Sequence, residues 1–184
     1  MTRNRSGHLP QWLENDGING DPVVGLHHST FQSIENEFRI LLTGVPDEII
    51  RSRVGLFIVD YKTSRRTDGQ DSLKAMYEVQ LNAYARIAEK LGMGKVKRLA
   101  LIYYEPITDI GVEEISDELS DDGFSMKFRP QIVNVELQPE TIPPLLRQAR
   151  QIFDSPNPPQ GQDGCKNCEL IERMTVMFQQ SRTN

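Results

Sequence analysis

The chain has 184 residues, 38% of them hydrophobic and 26% charged, the make-up of an ordinary soluble domain long enough to bury a core. Its net charge of -5 argues against a surface that grips nucleic acid throughout, so any such contact is local. No run approaches the roughly 18 apolar residues of a membrane span, and the opening MTRNRSGHLPQ lacks the apolar centre of a signal peptide, so a cytoplasmic chain is expected.

Residues 1–30 are read as an irregular opening segment, with Gly, Asn, Asp and Pro scattered around Trp12 and Leu13 and no sustained period. A single domain is expected over 31–184. From Phe31 the pattern turns extended: FQSIENEFRILLTG, VPDEII and GLFIVDYKTS predict an antiparallel meander broken at Gly44 to Pro46 and near Gly55. After the polar turn SRRTDGQ, Leu73, Met76, Tyr77, Tyr84, Ile87, Ala88 and Leu91 recur at helical spacing, and Gly92 offers a stop. VKRLALIYYEP then predicts a strand that returns to the first sheet by a crossover through this helix.

The acidic stretch Asp109 to Asp122 reads as an exposed loop, and MKFRPQIVNVELQ as a strand that Pro130 assigns to an edge or a bulge. TIPPLLRQARQIF predicts a helix, and a last short helix runs from Cys168 to about Phe178. The two cysteines, Cys165 and Cys168, are too few for a disulfide framework and fit a reducing compartment.

The chemistry concentrates where GLFIVDYKTS ends. Strand alternation puts Asp60 and Lys62 on one face, roughly 7 Å apart at their α-carbons. Asp47 lies thirteen residues earlier, and a short antiparallel turn brings its carboxylate towards Asp60. Two such acids and the Tyr61 carbonyl suit Mg²⁺, which prefers oxygen ligands and keeps several waters. Lys62 can orient a water and offset charge developing on phosphorus, which is the chemistry of phosphodiester hydrolysis. Gln80 and Tyr84, one helical turn apart, place polar tips at the border of this site. Taken singly, an Asp-x-Lys tripeptide is a salt-bridged strand edge and Gln80 and Tyr84 are boundary residues. Their order along the chain is what singles them out.

GVPDEI, IVDYKTS and QLNAY, within Gly44 to Pro106, together resemble the RecB-type branch of the PD-(D/E)XK nuclease superfamily. The resemblance implies a restriction-endonuclease-like core, α/β with a central mixed β-sheet flanked by helices. It also implies a Mg²⁺- or Mn²⁺-dependent, exonuclease-like DNA nuclease. The metal-binding roles fall on Asp47 and Asp60, the catalytic lysine on Lys62, and the positioning roles on Gln80 and Tyr84.

Members of that branch bring a further acid, and often a histidine, from a helix ahead of the sheet. This sequence has no clear helix there, and Glu14, His27 and His28 are the candidates, each with a structural alternative. Some relatives hold an iron-sulfur cluster on four cysteines. Cys165 and Cys168 cannot complete one, and two free thiols or a zinc site shared with His27 or His28 are the alternatives. DNA is expected to approach over Arg51, Arg53, Arg65, Arg66 and Lys74. The alternative to an enzyme is a degenerate or truncated module that binds nucleic acid or a protein partner.

Overall fold

A computed structural model describes residues 9–63, 71–108, 119–120 and 122–181. The chain divides into two compact units, residues 1–146 and 147–184, where the sequence reading has one domain from 31 to 184. Arg65, Arg66 and most of the acidic stretch from Asp109 to Asp122 lie outside the described residues.

The first unit is built on a five-stranded mixed sheet. Its strands are β1 (Asp21–Pro22), β4 (Glu48–Arg51), β5 (Leu56–Lys62), β6 (Val96–Pro106) and β9 (Phe128–Val135), in the spatial order β1-β4-β5-β6-β9. β4 and β5 are antiparallel, whereas β5 and β6 are parallel, joined by α2 (Asp71–Lys90) as the crossover. β5 lies at the centre, and its first five residues are all buried, the continuous run that a strand covered on both faces requires. β9 is an edge strand, which explains why Pro130 is tolerated opposite Tyr104. Gly55, at φ 145°, starts β5 where an added Cβ would meet the Lys95 carbonyl oxygen at 2.4 Å.

Three expectations are corrected. First, the meander is not one sheet: FQSIENEFRILLTG folds into its own hairpin, β2 (Gln32–Glu35) with β3 (Ile40–Thr43), through a turn in which Arg39 takes φ 52°. Second, part of the opening segment is ordered. The short helix α1 (Gln11–Asn15) buries Leu13 fully, and β1 pairs with β4. Third, the inward seam of α2 matches the expected one only in part: Tyr84, Ile87 and Ala88 are buried with Leu81 and Ala85, and Tyr77 packs beside them, whereas Leu73, Met76 and Leu91 are exposed. The seam at 77, 81, 84 and 88 follows the helical period, and Met76 falls beside it.

Alternation along the strands sorts the core into two layers. Ile49, Ile58, Leu99 and Leu101 face α2, and Ile50, Phe57, Val59, Ala100 and Ile102 face α1 with Leu13 and Ile18. Arg98 fastens the segment after α1, donating to the Asp16 carbonyl at 2.7 Å and pairing with its carboxylate. Asn82 fastens the other side: its amide donates to the Glu136 carbonyl at 3.0 Å and its oxygen accepts from the Gln138 N–H at 2.6 Å. A 3-10 turn at Pro139–Thr141 leads into α3 (Ile142–Asp154), whose Ile142 and Leu146 pack on Phe38 of the hairpin turn.

Short strands β7 (Leu119–Ser120) and β8 (Gly123–Phe124) pair as a small hairpin. In the second unit α4 (Lys166–Ser181) starts just after Cys165, whose carbonyl accepts the Glu169 N–H at 3.0 Å. Both cysteines are free. Among the described residues no helix is long and apolar enough to cross a membrane.

The hairpin is fixed to α2 by one buried anion. Glu35, 2% exposed, accepts two bonds from Arg86 at 2.9 and 2.8 Å, one from Lys90 at 2.6 Å and one from Ser33 at 3.1 Å. The Arg86 hydrogen bonds, aided by Lys90 and opposed by burial, hold its carboxyl at about 2. A pKa depressed on folding stabilises the fold above the ordinary value of 4.5, and that stability is lost as pH falls towards 2. Glu35→Gln should therefore cost about 2–3 kcal/mol at neutral pH and much less near pH 2. Urea unfolding of both chains across that range measures it, and equal stability at pH 7 would contradict the assignment.

Candidate active site

The ends of β4 and β5 build the site. The antiparallel ladder pairs Glu48 with Val59, and one step further Asp47 comes opposite Asp60. Both carboxylates lie on the α2 side of the sheet, continuing the Ile49 and Ile58 faces. Asp47 is exposed and its Oδ2 accepts the Tyr61 N–H at 2.8 Å. Asp60 is 4% exposed, and the charge of Asp47 bears on it.

Lys62 forms an ion pair with Asp60 Oδ2, and its ammonium sits 4.2 Å from the centre of the Tyr77 ring. The aromatic face thus helps carry the cation and limits its swing. Helical spacing alone marks Tyr77 only as a core position. Its place three residues before Gln80, and so on the same helix face, is the sign in the sequence that it looks at the same strand end.

α2 also supplies Gln80, whose amide donates to the Tyr84 hydroxyl at 3.0 Å. The Tyr84 ring is packed so closely on Gly44 that an added Cβ would stand 2.4 Å from its Cε1. Glycine is therefore required three residues before Asp47 by close approach, and Tyr84 braces the turn that delivers that carboxylate. Tyr84 also meets Phe31 edge-on at 6.1 Å between ring centres.

The remaining candidates are not brought to this point. Glu14 is exposed on α1, which covers the opposite face of the sheet. His27 and His28 are exposed, their rings 4.0 Å apart, and His27 Nδ1 pairs with the Ser29 hydroxyl at 2.7 Å. Arg51 ends β4, the far end from Asp47, and donates to the Met93 carbonyl at 2.7 Å; Arg53 follows it in the turn to β5. Lys74 is on α2, 3.8 Å from Glu78. Among the described residues no group of three or more His, Cys, Asp or Glu converges.

Whether a divalent cation suits these residues is decided by Asp60. Burial, the strongest influence, lifts its carboxyl above the ordinary value; Lys62 opposes this and the Asp47 charge adds to it. Its Oδ2 is buried and, apart from the ion pair with Lys62, has no hydrogen-bond donor. Two carboxylates facing each other, one of them buried with Lys62 as the partner of its Oδ2, form a hard-oxygen site that fits a divalent cation.

The model of the PD-(D/E)XK nuclease superfamily matches residues 21–173. The chain belongs to this superfamily. Its members generally hydrolyse phosphodiester bonds and typically use divalent metals, and the mixed sheet with its helical crossover is consistent with their restriction-endonuclease-like fold. Curated relatives include a subunit of the ATP-dependent helicase/nuclease of Clostridium kluyveri, from two strains, each 37% identical over 73 residues. That match spans 40% of this chain and 6% of the relatives' length. This bears out the resemblance read from the Asp47, Asp60–Lys62 and Gln80–Tyr84 motifs.

A carboxyl whose pKa rises on folding binds its proton more tightly in the folded chain. Its ionised form therefore costs stability, increasingly so as pH climbs from the unfolded to the folded pKa. Asp60→Asn should melt no lower than the parent at pH 7 without metal, yet lose binding of divalent cations. Calorimetry in both modes measures this, and a lowered melting temperature with metal binding retained would refute it. Gly44→Ala should push Tyr84 off the Asp47 turn and cost about 1–3 kcal/mol, as overpacking does. Thermal unfolding reads that loss, and an unchanged midpoint would contradict the close packing.

Proposed function

We infer that this chain is a Mg²⁺- or Mn²⁺-dependent DNA nuclease of exonuclease-like type, acting in the cytoplasm. The observation that carries the reading is the buried Asp60 oxygen, without a hydrogen-bond donor beyond its ion pair with Lys62, beside Asp47. Asp47, Asp60 and the Tyr61 carbonyl would hold the cation. When bound, the cation supplies Lewis-acid polarisation of the phosphate and a water of lowered pKa.

The chain's own residues do the rest. Lys62, steadied over Tyr77, offers a positive charge to the phosphate oxygens and a donor that orients the attacking water. Gln80 and Tyr84 present linked polar tips at the border of the site, able to hold a substrate phosphate or a water in place. Lys74, two-thirds exposed on α2, can meet the nucleic-acid backbone. Arg51 and Arg53 stand at the other end of the strands and fit a more distant contact. That the relatives belong to a helicase/nuclease of more than one subunit supports a chain that works with DNA and with a protein partner.

A second reading is favoured by one observation: no third acid or histidine joins Asp47 and Asp60 among the described residues. On that reading the chain is a degenerate module that binds nucleic acid or a protein without cutting. Degradation of labelled single- and double-stranded DNA with Mg²⁺ or Mn²⁺ separates the two. Asp60→Asn and Lys62→Met should each lower the rate by about 100-fold or more. Binding without cleavage by the parent in either metal would favour the module, and full activity in both variants would overturn the site.

A further inference from the structure

The carboxylates of Asp47 and Asp60 oppose each other just where the β4–β5 ladder ends, and like charges facing across a strand pair push it apart. Something must hold the strand ends together there. On the α2 side, Asp47 is exposed, so packing does not set its rotamer; the Tyr61 N–H at 2.8 Å does. On the other side of the sheet, the next residues along each strand meet: the Tyr61 hydroxyl donates to Glu48 Oε2. Given the Glu48–Val59 pairing, Glu48 and Tyr61 are diagonal neighbours, a spacing long side chains can bridge.

The Tyr61 ring is itself fixed. It stacks on Tyr104 at 5.6 Å between centres, and Tyr104 meets Trp12 of α1 edge-on at 6.0 Å. A single residue therefore bonds β4 on both faces, through its amide to Asp47 and through its phenol to Glu48.

We propose that Tyr61 is a positioning residue: its phenol, anchored on Glu48 and Tyr104 across the sheet, holds its own amide on Asp47 and so presents that carboxylate to the cation in one orientation. The proposal rests on the metal-site reading above. Partners that orient a ligand from outside its coordination shell typically account for 10- to 100-fold in metal affinity.

Two readouts are needed, one of them free of metal. Mn²⁺ affinity by calorimetry is measured for the parent, Tyr61→Phe, Glu48→Ala and Glu48→Gln. Hydrogen exchange of the residue-61 amide is followed in the same metal-free proteins. Tyr61→Phe keeps the ring and every charge, so it should melt near the parent while losing about tenfold in Mn²⁺ affinity and exchanging its amide faster. Glu48→Ala should behave alike, and Glu48→Gln, which keeps an acceptor for the phenol, should recover most of the affinity. Unchanged affinity and exchange in Tyr61→Phe would overturn the proposal. Equal loss in Glu48→Gln and Glu48→Ala would also overturn it, since charge alone would then account for the effect. Faster exchange with no Mn²⁺ binding in the parent would leave the Asp47 anchor standing and reject the metal-site reading.

Discussion

Two like charges facing each other at the end of one strand pair are the constraint around which this fold is arranged. Asp60 lies at the exit of the most buried strand, and Asp47 stands across from it. A lone ionised carboxylate in that position is costly, and a second beside it more so. Each neighbouring feature lowers that cost or holds the pair in spite of it. Lys62 neutralises Asp60 under the Tyr77 ring, the Tyr61 amide takes one oxygen of Asp47, and Tyr84 on Gly44 braces the turn between hairpin and strand. Such a supported but unfavourable pairing is the kind of arrangement found at functional sites, which is why the proposed metal site is placed there.

The support is distributed over both faces of the sheet, which explains why so much of the unit bears on one corner. α2 contributes Tyr77, Gln80 and Tyr84 from one side, and it is itself tied to the β2–β3 hairpin through Glu35 and to the β9–α3 connection through Asn82. α1 contributes from the other side, where Trp12, Tyr104 and Tyr61 form a short aromatic chain ending at Glu48. The residues in contact with the carboxylates are thus fixed by rotamers that packing sets rather than by loops.

Local patterns carry the central strands, the crossover helix and the edge placement of Pro130, because strand alternation, a long helical period and the missing proline N–H each act over a few residues. Asp60 and Lys62 are legible for the same reason, being two residues apart on one strand. What local pattern does not reveal are pairings across the fold. The hairpin looks like part of a meander because β2 and β3 have strand composition but no signal naming their partner. The inward seam of α2 is ambiguous at Met76 because hydrophobicity does not say which of two neighbouring stripes meets the sheet. Glu48 carries no mark of its own beside Asp47; its bond to Tyr61 depends on the diagonal between two strands, which register alone creates. Arg51 and Arg53 are close to Asp47 in sequence, yet an extended strand carries them to the other end of the sheet.

The most direct test of the central claim is the anomalous signal of Mn²⁺ in crystals of this chain. A single strong peak is expected between Asp47 and Asp60, with the Tyr61 carbonyl oxygen as a further ligand. A peak elsewhere, or none while Lys62 stays paired with Asp60 at saturating Mn²⁺, would contradict it.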